Sequence, residues 1–222
     1  SETALKAESE RIRELAQKSE SLKELIAGIE KEMAATARRE EEAASKAQQV
    51  AAAGAPKVNP ALPPQASRIA PSASFTALKG DLSLPASGSI RVRFGMDDGL
   101  GGTSQGYTLA AKPGGRVTTP ADATVLYADT FRSYGNLLIL DAGEGYHLVM
   151  SGMTRIDVVQ NQIVLAGEPV GVMGERSQSE NAGTGLAQGG PSLYIEFRKD
   201  GKPVDSGPWW AGGPMGRTNN DT

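Results

Sequence analysis

One histidine, His147, and no cysteine stand in a chain of 222 residues, and this scarcity excludes more chemistry than any motif adds. Disulfides, thiolate metal sites, cysteine nucleophiles, histidine clusters and an HExxH helix are ruled out. Gly102-Thr103-Ser104-Gln105-Gly106 has the form G-x-S-x-G, the spacing that holds a nucleophilic serine on a strained strand-to-helix turn. A strand-like run ended by Pro113 follows instead of a helix, and the one available base is His147 in a different run. An ordinary Gly-rich loop is therefore expected. Asp97-Asp98 and Glu196 would suit the paired acids of glycoside cleavage. Adjacent aspartates more often mark a solvated turn, and Glu196 stands beside Arg198, so surface carboxylates are expected. His147 alternates with apolar neighbours and is expected to be a packed or surface residue. The Gly-rich stretches 99–102 and 183–190 contain no GxxxxGK[ST] and are expected to be loops.

Three composition zones must position these residues. Residues 1–53 lack proline, hold only Gly28, and are dense in Ala, Glu, Lys and Arg, the mixture of a long solvated helix. With Leu5 as position a of a heptad, Ile12, Ile26, Met33 and Ala47 share that position. Leu15, Leu22, Ile29, Ala43 and Val50 fall at d. This is a coiled-coil seam, expected to run as one helix of about 80 Å and to weaken beyond Met33 as its apolar residues shrink to alanine. Residues 54–74 carry Pro56, Pro60, Pro63, Pro64 and Pro71 among Ala, Ser and Gln, the composition of a semi-extended linker. Residues 75–212 are rich in Gly and β-branched residues. Their short apolar runs at 90–94, 107–111, 123–128, 137–141, 147–150, 170–173 and 193–197 are separated by Gly and Pro. That pattern predicts an antiparallel all-β domain, closed by Trp209-Trp210, with a flexible tail over 213–222. The whole is an α+β chain: coiled-coil helix, linker, β domain.

The formal net charge of −3 points to no polyanionic partner. No run approaches the roughly 18 apolar residues of a membrane span, and the first residues lack a signal-peptide pattern. The expectation is a cytosolic protein or one whose export signal lies outside this sequence.

The order of the β segments resembles the LytM domain, the fold of zinc endopeptidases that cut peptidoglycan cross-links. The resemblance spans about 75–211. It rests on Phe94-Gly95, Gly106 with Ala110-Ala111, Val125, Tyr127 and Ala128, Tyr134-Gly135-Asn136, and Gly145-Tyr146. Most specific is the closing run Gly190-Pro191-Ser192-Leu193-Tyr194-Ile195-Glu196-Phe197 through Gly201-Lys202-Pro203-Val204-Asp205. In that register the metal-ligand positions of an active member fall on Ser104, Thr108, Gly152, Ser192 and Tyr194. None is a competent zinc ligand near neutral pH. His147, five residues before the middle position, does not rescue the set.

The chain therefore resembles the degenerate branch, the EnvC-like murein hydrolase activators, which carry a coiled coil ahead of an inactive LytM domain. This implies a non-catalytic periplasmic protein with no cofactor and no nucleic-acid partner. Its vacated groove would hold a helix of a peptidoglycan amidase, and its coil would be gripped by the division complex FtsEX. Tyr107, Thr108, Tyr134, Tyr194, Glu196 and Arg198 are the expected groove residues. Tyr194→Ala and Arg198→Glu are expected to weaken partner binding while leaving the fold intact. The N-terminal helix or linker is expected to fold back over the groove and hold the activator off. Two rival readings remain: an active zinc peptidase, and an efflux-pump adaptor, suggested by the Val-x-x-Gly pattern at Val164-Leu165-Ala166-Gly167. In an adaptor, however, the helical hairpin interrupts the β domain instead of preceding it.

Overall fold

A computed structural model describes residues 2–18, 21–52, 74–98, 102–175 and 190–212. The expected linker, apart from Ser74, the expected tail and most of 183–190 lie outside the described residues. The chain divides into two units, Ser1–Ala70 and Pro71–Thr222.

In the first unit the expected single helix is two: α1 (Glu2–Lys18) and α2 (Leu22–Ala52). At 17 and 31 residues they measure about 25 and 47 Å. Ser21 explains where α2 begins. Its hydroxyl accepts from the Glu24 backbone N–H at 3.3 Å and its carbonyl from Leu25 N–H at 3.0 Å. Ser21-x-x-Glu24 has the spacing of a capping box, a start signal that the heptad reading passes over. The helices contact each other in opposite directions, with Arg11 Nη1 3.0 Å from Glu32 Oε1 and Leu15 against Gly28. A Cβ on Gly28 would lie 3.3 Å from Leu15 Cδ2, so glycine permits this approach. Ile12, Leu22, Leu25, Ile26 and Ile29 are buried, whereas Ala43, on the alanine-rich part of the seam, is exposed.

In the second unit the strands are β1 (Gly88–Val92), β2 (Tyr107–Ala111), β3 (Arg116–Thr118), β4 (Ala123–Thr130), β5 (Asn136–Gly143), β6 (Tyr146–Ile156), β7 (Ile163–Val164), β8 (Pro169–Met173), β9 (Ser192–Lys199) and β10 (Lys202–Val204). Every pairing between them is antiparallel, and the main order is β1-β2-β9-β6-β5-β4-β7, with β10 on β9 and β8 joining β3 to β6. Each predicted apolar run falls on one of the longer strands, although β1 stops at Val92, before Phe94.

Alternation divides the sheet into two faces. Leu109, Leu138, Leu140, Leu148, Met150, Leu193, Ile195 and Phe197 point into one core with Trp209 and Trp210. Phe75 enters this core from a single 3-10 turn, Phe75–Leu78. Its ring centre lies 4.9 Å from Tyr146, 5.5 Å from Phe197 and 5.9 Å from Trp209. Glu144, in the β5–β6 turn, ties the start of this turn by accepting from the Ser74 hydroxyl and from the Thr76 N–H and hydroxyl.

Candidate functional site

Three residues of the expected metal-ligand register, Thr108, Ser192 and Tyr194, share the opposite face of β2 and β9. Strand β9 lies between β2 and β6, so Thr108 of β2 and Ser151 of β6 both pair with Tyr194, and Ala110 pairs with Ser192. Directly paired residues share a face, which places Thr108, Ser151, Ser192 and Tyr194 together. Gly152 follows in a left-handed conformation, φ +101°, with its Cα edge against the Ser192 carbonyl. Ser104 lies in the loop before β2, where its hydroxyl donates to the Gly106 carbonyl at 2.9 Å. The G-x-S-x-G stretch is thus a turn closed on itself, with its serine committed to backbone.

Along β9 the same face carries Tyr194, Glu196 and Arg198, joined in series. Tyr194 Oη donates to Glu196 Oε2 at 2.7 Å. Glu196 Oε1 accepts from Arg198 Nη1, and Arg198 Nη2 donates to the Gly201 carbonyl at 2.7 Å. Glu196 is 2% exposed and Arg198 3%, so this is a buried ion pair instead of the expected surface carboxylate. The correction has a plain cause: the central strands are buried on both faces, and a carboxylate there must be paired. Burial, and then the charge and hydrogen bond of Glu196, push the Tyr194 phenol far above its ordinary value. Tyr194 is therefore a neutral donor at any physiological pH.

Tyr134, also expected at the groove, lies in the turn before β5. It is 40% exposed and stacks on Phe131 at 6.2 Å, which in turn meets Tyr127 edge-on at 6.3 Å. Burial, then the Glu196 charge, raises its phenol, with Arg198 opposing. Tyr107 does not share the face of Tyr194. As the immediate neighbour of Thr108 it points to the other face, is 2% exposed in the main core, and donates to Asp205 Oδ1 at 2.9 Å. Its expected place at the groove is overturned by strand alternation. His147, buried on β6, pairs in register with Arg198, roughly 17 Å along the strand from Gly152.

Residues 102–206 match the model of peptidase family M23. Three relatives each match about two thirds of the chain. An uncharacterized protein of Neisseria meningitidis, NMB1333, is 27% identical over 66% of this chain and 23% of its own length. The murein hydrolase activator NlpD of Salmonella typhimurium is 28% identical over 66% of this chain and 36% of its own. The murein hydrolase activator EnvC of Escherichia coli is 28% identical over 65% and 32%. The chain spans between about a quarter and a third of the length of these curated relatives. The β domain is thus an M23-type, LytM-like domain related to murein hydrolase activators.

Zinc is the metal such a domain implies, and the residues here do not fit it. Tyr194 is locked as a neutral phenol on Glu196, the Ser104 hydroxyl is spent on backbone, and Gly152 has no side chain and no room for one. Among the described residues no group of three His, Cys, Asp or Glu side chains could hold a metal ion. The domain is degenerate and non-catalytic at the metal-ligand register.

Proposed function

We propose that this protein is a non-catalytic, periplasmic activator of peptidoglycan amidases in cell division. In this reading the face bearing Thr108, Tyr134, Tyr194, Glu196 and Arg198 forms a groove that receives an amidase helix. The observation that carries it is that Tyr194, at one of the expected metal-ligand positions, is interlocked with Glu196 and Arg198 along β9 instead of being free to hold a metal. Aromatic and arginine side chains on a preorganised strand are the groups that dominate protein-binding energetics. The relatedness to murein hydrolase activators supports the same reading.

The helical unit is the proposed handle for an FtsEX-like membrane complex. Part of it, or the linker, covers the groove until the coil is moved. A tether of about twenty residues gives an effective concentration near the millimolar range, so even a weak internal segment competes with an amidase.

Release of dye from labelled peptidoglycan tests the activator reading. The protein alone releases nothing, and it stimulates at least one member of a panel of purified bacterial amidases. Release by the protein alone, or stoichiometric zinc after dialysis, overturns it. Residues 75–222 compared with the full chain test the autoinhibition: equal affinity and equal stimulation would leave the helical unit a tether only.

A further inference from the structure

The geometry of β9 assigns a role to Glu196 that neither its residue type nor its spacing suggests. Its two carboxylate oxygens serve different residues, Oε2 the Tyr194 hydroxyl at 2.7 Å and Oε1 the Arg198 guanidinium. A buried carboxylate is costly, and a tyrosine that only filled space would need no such partner. The bond fixes the ring as well as the hydroxyl. A Cβ on Gly106 would lie 3.0 Å from both Cζ and Oη of Tyr194, so bare backbone at Gly106 leaves room for the hydroxyl end that Glu196 holds. On its other side, Glu196 cancels the charge of Arg198, whose second nitrogen is held by the Gly201 carbonyl. Alternate residues of one strand become a rigid, electrically neutral unit, with the buried Glu196–Arg198 pair backing the partly exposed Tyr194.

We propose that Glu196 is the positioning residue of the partner-binding groove. It holds Tyr194 and Arg198 in one preorganised arrangement and keeps the floor free of uncompensated charge. This inference rests on the reading of that face as the docking site of an amidase helix. Preorganisation lowers the ordering cost of binding, so losing Glu196 weakens association without changing what the bound activator does. A neutral floor makes the association nearly indifferent to salt, whereas a freed Arg198 makes it salt-dependent.

The test uses the full chain, dye-labelled peptidoglycan, and the amidase of the panel that the parent stimulates most. Glu196→Gln is expected to raise the activator concentration for half-maximal stimulation about tenfold, since hydrogen bonds to charged groups carry the unit. Maximal stimulation stays the same, and the affinity now changes between 50 and 300 mM salt on the order of threefold or more. Glu196→Asp keeps the charge beside Arg198 but is a methylene too short for Tyr194. It is expected to lose affinity while staying insensitive to salt, and it carries the test if Glu196→Gln melts below the assay temperature. Combined with Tyr194→Phe, Glu196→Gln costs less than the product of the two single effects, because the shared bond is lost only once. Multiplicative effects, a fall in maximal stimulation alone, or parent-like binding by both Glu196 variants overturn the positioning role. If Tyr194→Ala also stimulates like the parent, or the parent stimulates no amidase, the groove reading falls with it. If Tyr194→Ala is impaired and the Glu196 variants are not, the positioning role alone falls.

Discussion

Gly106 lies against the hydroxyl end of Tyr194, and a single added carbon at position 106 would collide with the Ile195 carbonyl and meet Cζ and Oη of the phenol at 3.0 Å. The backbone of β9 cannot swing away as a flexible side chain would. Gly106→Ala is expected to destabilise the β domain by about 1–3 kcal/mol through overpacking, read as a lower midpoint in urea at unchanged slope. Partner binding should weaken more than stability accounts for, because the ring that moves is part of the proposed recognition surface.

Gly152 carries a second steric constraint. At φ +101° it occupies backbone space that side chains rarely enter, and a Cβ there would collide with the Ser192 carbonyl. A histidine ligand therefore cannot be restored at this position without moving β6 away from β9. Changing all five positions, Ser104→His, Thr108→Asp, Gly152→His, Ser192→His and Tyr194→His, is expected to yield a misfolded or metal-poor protein. Stoichiometric zinc by elemental analysis together with a parent-like melting transition would show that the register is repairable.

Arg198→Glu should not be the clean binding variant that its strand position suggests. It would set a second carboxylate against buried Glu196, leaving both charges without a counter-ion. Breaking a buried pair costs about 3–5 kcal/mol, so the thermal midpoint should fall by many degrees. Tyr194→Phe, which leaves one oxygen of buried Glu196 without its donor, should lower the midpoint by less than Arg198→Glu does, because the ion pair is kept. Equal melting of Arg198→Glu and the parent would mean that the pair is solvated.

Acid should loosen the segment that leads into the β domain. The Thr76 N–H and the Ser74 and Thr76 hydroxyls hold the Glu144 carboxyl below its ordinary value of 4.5. A depressed folded value means that the stabilisation is present above the unfolded value and is lost as pH falls through the folded one. Trp209, whose indole N–H donates to the Phe75 carbonyl at 3.3 Å, reports on the same segment. Its fluorescence should change below about pH 4.5, and Glu144→Gln should show the acid-like signal already at neutral pH. A parent-like signal from that variant would exclude the carboxylate as the clamp.

Alkali acts on Tyr107. Burial, followed by its hydrogen bond to Asp205, pushes this phenol up to about 12. Its contribution is complete below the unfolded value of about 10 and is lost as pH rises toward 12, because only the unfolded chain ionises in that window. Stability should therefore fall between pH 10 and 12, and Tyr107→Phe should flatten part of that fall. An unchanged slope would assign the alkaline loss to other groups, buried Tyr194 first.

The strands were legible because alternation and Gly/Pro punctuation are local properties: the runs at 107–111, 123–128 and 193–197 each fall on a strand. The break in the helix was legible too, in Ser21 and Glu24, but a heptad count that tolerates isolated polar residues runs through it. The M23-type resemblance likewise rested on local runs of residue types, and residues 102–206 match that family's model. Local pattern could not say which of two alternating faces meets water. Tyr107 and Thr108 are neighbours with opposite fates, settled by β2 pairing with β9 across more than eighty residues of sequence. Glu196 and Arg198 read as surface charges by type, and became a buried pair because β9 lies between β2 and β6 in a sheet covered on both faces. Burial is set by non-local packing, and a period-two pattern carries no information about what lies above the strand.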